Sequence, residues 1–234
     1  MTTRRLSYAG VAVAVPITVP YVRYSTRTAH WFIGQAIEAL VEASGVAKEQ
    51  IDGLCLSSFS LAPDTAVGVT QHLGLSPRWL DHVPTGGASG VMCLRRAARA
   101  VQAGDADIVA CVGADTNHVD SFRQTLGSFS NFARDASYPY GSGGPNSIFA
   151  FITANYMRTY GTRREDFGRI CVDQRTNALG NPNAMFKKAL TLGEYMAARP
   201  ISDPIHLFDC VMPCAGADAF LVMSEERARD LGLA

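Results

Sequence analysis

The chain has 234 residues, 47% of them hydrophobic, and its 21 basic residues are balanced by 21 acidic ones. That length and apolar content are enough to bury the core of one sizeable α/β domain or two small ones. The balanced charge removes the footprint of a nucleic-acid binder, and no like-charge run marks a membrane-surface patch. No apolar stretch is long enough for a signal peptide or a bilayer span, so a cytoplasmic protein is expected.

Leu6 to Val15 alternates and is rich in valine and alanine, which predicts a first strand ended by Pro16, with Pro20 to Tyr24 as an irregular loop. Thr26 or Thr28 caps a helix reaching Ser44, with Ile33, Ile37, Leu40 and Val41 on one face and Gly45 as its stop. Ile51 to Phe59 reads as a strand and Thr65 to Leu73 as a short helix stopped by Gly74. Trp79 to Val83 is a short strand that runs into Pro84-Thr85-Gly86-Gly87-Ala88-Ser89-Gly90. A helix then starts at Gly90 or Val91, carries the apolar stripe Val91, Leu94, Ala97, Ala98 and Val101, and ends near Ala103 before Gly104. Asp107 to Gly113 is a continuous apolar strand of the kind buried on both faces.

From Thr116 to Asn146 the pattern breaks, with Phe122, Phe129, Phe132, Tyr138 and Tyr140 among serines and glycines. Such a stretch is either a lid or an excursion packed by its own aromatics. Pro145 opens a helix over Asn146 to Tyr160. Thr162-Arg163-Arg164-Glu165 and Thr191-Leu192-Gly193-Glu194 are capping boxes for helices to about Ala178 and Arg199. Ile205 to Phe208 and Ala217 to Met223 are the last strands, and Ser224 caps a short final helix. Strands alternating with helices at these spacings predict an α/β fold with a mixed sheet between helical layers.

The stretch from Pro84 to Gly90 is where chemistry is expected. A strand, a tight glycine turn and a helix N-terminus bring unpaired amides and the positive end of the helix dipole to one point. Such a corner stabilises an oxyanion or a thioester carbonyl. Ser89 is either a nucleophile or a helix cap, and Cys93, one turn on, is a relocated nucleophile or a core residue. His82 precedes the corner and is either within its reach or an ordinary packed or interface histidine. The six cysteines (55, 93, 111, 171, 210, 214) form no Cys-x-x-Cys pair and read as reduced core thiols. Cys210 and Cys214 alone do not make a metal site.

The corner resembles that of the thiolases, in particular the sterol-carrier-protein-type thiolases and lipid-transfer-protein-like enzymes. Their turn reads Cys-x-Ser-Gly with the cysteine as nucleophile, and here the same register is Gly87-Ala88-Ser89-Gly90. Further segments follow in the family's order: Gly104 to Asp107, Gly113-Ala114-Asp115, Tyr156 to Gly161, Leu192 to Phe208, and Pro213-Cys214-Ala215-Gly216-Ala217 before Phe220 to Val222. Ala215 stands where the family has an aspartate. The resemblance spans nearly the whole chain and implies one thiolase-like α/β/α layered domain over residues 1–234, with a mixed five-stranded sheet, 116–146 as a loop or lid excursion, and only the N-terminal half of the full thiolase fold. The second half, with its Asn-Glu-Ala-Phe, Gly-His-Pro and Cys-x-Gly motifs, is expected to be absent.

Gly87 cannot be acylated, and relatives without the cysteine resemble retro-aldolases that cleave β-hydroxyacyl-CoA side chains, as in steroid degradation. By that resemblance Gly86, Gly87, Ala88, Ser89 and Gly90 bind the substrate, with their amides holding an enolate oxygen. The catalytic base is expected from a second domain or a partner. Coenzyme A enters as part of the substrate, and no tightly bound cofactor or metal is implied. The resemblance also implies a homodimer through Trp79 to Val83 and a small partner carrying an OB-fold and zinc ribbon. Acyl transfer from Ser89 or Cys93, and a non-catalytic lipid-binding or scaffold subunit, are the alternatives.

Overall fold

The computed structural model describes residues 7–118, 135–136, 138–142 and 144–233, and divides into two compact units, residues 1–118 with 214–234 and residues 119–213. In the first unit the elements are β1 (Val11–Val22), α1 (Ala29–Ser44), β2 (Gly53–Ser57), α2 (Ala66–Leu73), β3 (Trp79–His82), α3 (Ser89–Ala103) and β4 (Ile108–Asp115). The second unit holds α4 (Gly144–Tyr160), α5 (Arg164–Ala178), α6 (Leu192–Met196), β5 (Pro200–Ser202) and β6 (Ile205–His206). The chain then returns to the first unit with β7 (Ala215–Ser224) and α7 (Glu225–Asp230).

The sheet of the first unit has five strands in the order β1-β7-β4-β2-β3. β2 lies parallel to β3 and β4, and β7 runs antiparallel to β4 and β1. This is the mixed α/β arrangement expected. Strand alternation divides the core. Leu54, Leu56, Ile108, Ala110, Val112, Ala217, Ala219 and Leu221 pack with Phe32, Ile33, Ile37 and Leu40 of α1. Cys55, Val109, Cys111 and Val222 point the other way, onto Cys93, Ala97 and Ala98 of α3. The central strand β4 is buried on both faces over most of its length, as its unbroken apolar run predicts.

The caps follow the sequence closely. Thr28 Oγ1 accepts from Trp31 N, and Gly45, Gly74 and Gly104 close α1, α2 and α3 in the left-handed conformation. The first strand is a correction. It does not end at Pro16 but continues through Pro20 to Val22, with irregular register between Ala14 and Ile17 and between Val19 and Val22. Among the described residues β1 is the outermost strand and pairs only with β7, so a proline there has no second neighbour to deprive of a hydrogen bond.

In the second unit Thr191 caps α6 as its box predicts, with Oγ1 accepting from Glu194 N at 3.2 Å and Glu194 Oε2 accepting from Thr191 N at 2.8 Å. The helix is shorter than predicted and stops at Met196. The first box shifts by one residue, since Arg163 rather than Thr162 caps α5 and its N–H donates to Asp166 at 2.8 Å. The strand predicted to reach Phe208 ends at His206 because Leu207–Asp209 tighten into a 3-10 turn, and β6 pairs with β5, which the pattern did not predict. Most of the 116–146 excursion lies outside the described residues. Among the described residues no helix is long and apolar enough to cross a membrane.

Candidate functional site

The corner between β3 and α3 has the strand–turn–helix form predicted. Gly86–Ala88 make one 3-10 turn, in which Gly86 takes φ +65°, a backbone angle that favours glycine. α3 follows at Ser89, and neither the turn nor the helix has a side-chain cap. The helix N-terminus is therefore left without a competing side-chain acceptor, which suits a developing oxyanion. Gly87, Ala88 and Gly90 are exposed, and a Cβ built on Gly87 or Gly90 would meet no atom within 4 Å. The position where the resemblance puts the nucleophile is open space.

Ser89 does not cap the helix; it is the first helical residue and is buried. Its hydroxyl donates to Val83 O at 2.9 Å and accepts from Thr85 N at 3.2 Å, so it ties the end of β3 to the start of α3. A serine whose proton is committed to a backbone carbonyl, with no base bonded to it among the described residues, lacks the activation a nucleophile needs. Cys93 lies in the core. The hydrogen bond of its thiol with Cys55, together with burial, pushes its pKa well up, and Cys55 is raised in the same way by Cys111. A buried, protonated thiol is inert.

His82 pairs in register with Leu56. Asp81, beside it, reaches across to Arg96 of α3 with 2.7 Å and 3.0 Å contacts. Alternation therefore puts His82 on the opposite face, with Leu80 and the α1 side of the core. It does not face α3, and its buried Nε2 has no hydrogen-bond partner among the described residues. Cys210 lines a cavity of about 450 Å³ within the second unit, together with Phe149, Phe167, Cys171, Tyr195 and Phe208, whereas Cys214 belongs to the first unit. Among the described residues no three His, Cys, Asp or Glu side chains group as metal ligands.

Sequence reasoning did not single out Asp115 for the site. Its Oδ1 accepts from Ser58 Oγ (3.0 Å), Phe59 N (2.7 Å), Ser60 N (2.8 Å) and Ser60 Oγ (2.7 Å). The loop after β2 is thereby held at the carboxyl ends of the parallel strands, and Phe59 Cζ comes within 3.7 Å of where a Gly86 Cβ would stand. The available signal was an aspartate directly after an apolar strand, opposite a serine-rich loop. In open α/β sheets ligands sit at this end of the strands.

No family model matches the chain. It is 32% identical over 207 residues to the steroid side-chain-cleaving aldolase of Thermomonospora curvata, covering 84% of this chain and 52% of that protein. It is 30% identical over 208 residues to the 17-hydroxy-3-oxo-4-pregnene-20-carboxyl-CoA lyase of Mycobacterium tuberculosis, covering 84% of this chain and 53% of that protein. Among solved structures, the Ltp2-ChsH2(DUF35) aldolase superposes with a TM-score of 0.79 at 29% identity, over 94% of this chain and 57% of that one. The chain thus spans about half the length of the curated relatives it matches. Sheet order, an open corner with glycine at the nucleophile's position, and these relatives agree: the chain is a thiolase-like domain of the sterol-carrier-protein type.

Proposed function

We propose that this chain is the thioester-handling part of a C–C bond lyase, a retro-aldolase that cleaves β-hydroxyacyl-CoA side chains of the steroid or lipid type. The observation that carries the reading is Gly87, an exposed residue with no side chain at the position of the family's nucleophile, beside an uncapped helix N-terminus. A retro-aldol step needs no covalent acyl-enzyme. It needs a group to take the hydroxyl proton and donors for the enolate oxygen that forms as the carbon–carbon bond breaks. The backbone amides of the Gly86 to Gly90 turn are the donors, apart from the Ser89 N–H, which already donates to Gly86 O. Coenzyme A is the substrate's carrier, and the names of the relatives, an aldolase and an acyl-CoA lyase, support that substrate class.

In this reading residues 1–234 form the N-terminal half of a thiolase-like assembly whose site a second domain or partner completes. A small partner with an OB-fold and zinc ribbon is consistent with the two components named in the similar Ltp2-ChsH2(DUF35) aldolase. A homodimer through the strand from Trp79 to Val83 is supported by the place of β3 at the end of the sheet, where among the described residues it pairs with β2 alone. A cytoplasmic location fits a protein acting on acyl-CoA.

The test is an assay on a branched β-hydroxyacyl-CoA, with this chain alone and with the protein encoded next to it, following carbonyl product and protein mass. Carbonyl release without a mass adduct is the expected result. A covalent adduct on Ser89 or Cys93 would replace the lyase with an acyltransferase. Silence in every combination would leave a lipid-binding or scaffold subunit.

A further inference from the structure

Asp218 is an exposed, charged residue in the middle of β7, a strand whose neighbours are alanine, phenylalanine and other apolar side chains. Alternation puts it on the face of the sheet that carries α3, with Gly216 and Val222. Two side chains of β1 are bound to it. Thr18 Oγ1 donates to Asp218 Oδ1 at 2.7 Å, and the Tyr21 hydroxyl donates to Oδ2. The Tyr21 ring lies against Gly216, where a Cβ would collide with it.

The register continues this row to the corner. Thr18, Asp218, Gly113 and Ser57 sit opposite one another on β1, β7, β4 and β2. Val83, at the entrance of the corner, donates its N–H to Leu56 O at 2.8 Å, next to Ser57. Gly113, between Asp218 and Ser57, is exposed, and a Cβ on it would meet nothing within 4 Å. At Gly113, midway between Asp218 and Ser57, the floor is therefore open among the described residues. Two strand spacings separate Asp218 from Ser57, about 10 Å. A β-hydroxy thioester held at both ends by hydrogen bonds of about 2.9 Å, with roughly 3 Å between its carbonyl and hydroxyl oxygens, spans about 9 Å.

We infer that Asp218 and Tyr21 are the proton-handling pair of this site, with Asp218 taking the substrate's β-hydroxyl proton and Tyr21 protonating the enolate carbon. The inference rests on the retro-aldolase reading and assigns to this chain a task expected of a second domain or partner. The steps balance. Asp218 accepts the hydroxyl proton, the C–O bond becomes a carbonyl, and the Cα–Cβ bond breaks with its electron pair moving into the thioester enolate at the corner. Tyr21 then gives its phenolic proton to the α-carbon and recovers one from protonated Asp218 along their hydrogen bond. Both groups return to their starting states, and the products are a free carbonyl compound and a shortened acyl-CoA. Burial, then the hydrogen bond and charge of Asp218, hold the Tyr21 pKa well above its usual value, so the phenol stays protonated and available as a donor.

The test compares wild type, Asp218→Asn and Tyr21→Phe, with and without the protein encoded next to the chain. Carbonyl release from the β-hydroxyacyl-CoA is one readout, and mass-detected exchange of α-hydrogens of the product acyl-CoA in D2O is the other. Both variants are expected to lose about a hundredfold in kcat with KM within about threefold, and to lose the exchange. Tyr21→Phe keeps the ring on Gly216, so it remains informative if Asp218→Asn misfolds. Wild-type rates in both folded variants would overturn the pair and leave the retro-aldolase reading standing. Exchange in wild type that the substitutions abolish, without any carbonyl release, would keep the pair and sink the retro-aldolase reading. A wild type that does neither removes both.

Discussion

The two ends of the parallel strands β2 and β4 are built on opposite principles. At their amino ends Asp52 accepts from Asp107 N and Ile108 N, each at 2.9 Å, and from Arg78 Nε and Nη2 at 2.9 Å and 2.7 Å. Arg78 also reaches Asp107 at 3.2 Å, so charge-assisted bonds tie β4 and the entrance of β3 to the start of β2. The carboxyl ends instead present Gly113, Gly86, Gly87 and Gly90, an uncapped helix start and a loop held from behind by Asp115. One end has its polar groups paired within the protein, and the other leaves donors and space for something else. Stability and chemistry are thus assigned to different ends of the same strands.

That contrast breaks most visibly if Asp52 is removed. Asp52→Ala strands the amides of Asp107 and Ile108 and is expected to cost about 3 kcal/mol, read as a lower denaturant midpoint. The same group sets a pH dependence. Burial opposes its charge, but hydrogen bonds from Ile108 N, Arg78 and Asp107 N win, and its carboxyl is held below its ordinary value. Its stabilising contribution is complete above the unfolded value of about 3.9 and is lost as pH falls from there through the lower folded value. In Asp52→Asn that acid-dependent part of the loss should disappear, so the midpoints of variant and wild type converge on acidification.

A glycine at each end sharpens the comparison. A Cβ at Gly53 would come within 2.7 Å of Val109 Cγ2 and 3.1 Å of Ala106 Cβ. Gly53→Ala should therefore cost about 2 kcal/mol through overpacking, measured by thermal melting. Ser89→Ala, at the open end, removes the tie between Val83 and Thr85 and should cost about 1 kcal/mol. Chemistry that continues in that variant would dispose of Ser89 as nucleophile. The smallest effect is expected of Gly87→Ala, which meets no atom and needs no unusual backbone angle, with a change within about 0.5 kcal/mol. A melting point as low as that of the Gly53 variant would contradict an open corner.

The site was legible in the sequence where it depends on local structure. Gly104 after an apolar stripe, and glycines between Val83 and Val91, are signals that act within a few residues, and α3 and its turn appeared where they predicted. Of the two readings of Ser89, the helix cap fails for a related reason. Its position suits a cap, but its hydroxyl is taken by Val83 O, a bond that depends on the tight turn bringing the strand end back over the helix. Proximity in the chain left His82 either within reach of the corner or an ordinary packed or interface histidine, and strand alternation turned it to the other face. Pro16 and Pro20 read as breakers because proline breaks most strands, and whether a strand is outermost is not a local property.

The sequence by itself determined the layered α/β class, most helix stops, the glycine-lined corner and the likeness to thiolases. Periodicity, capping and turn chemistry act over a few residues, and motif order survives in the linear chain. Only the tertiary structure decided which side chains share a face. Asp115 meets a loop 55 residues earlier in the chain through Ser60, and Asp218 meets Tyr21 across a separation of 197 residues. Such pairings are set by sheet order and register, which are resolved by burying both faces of β4 at once.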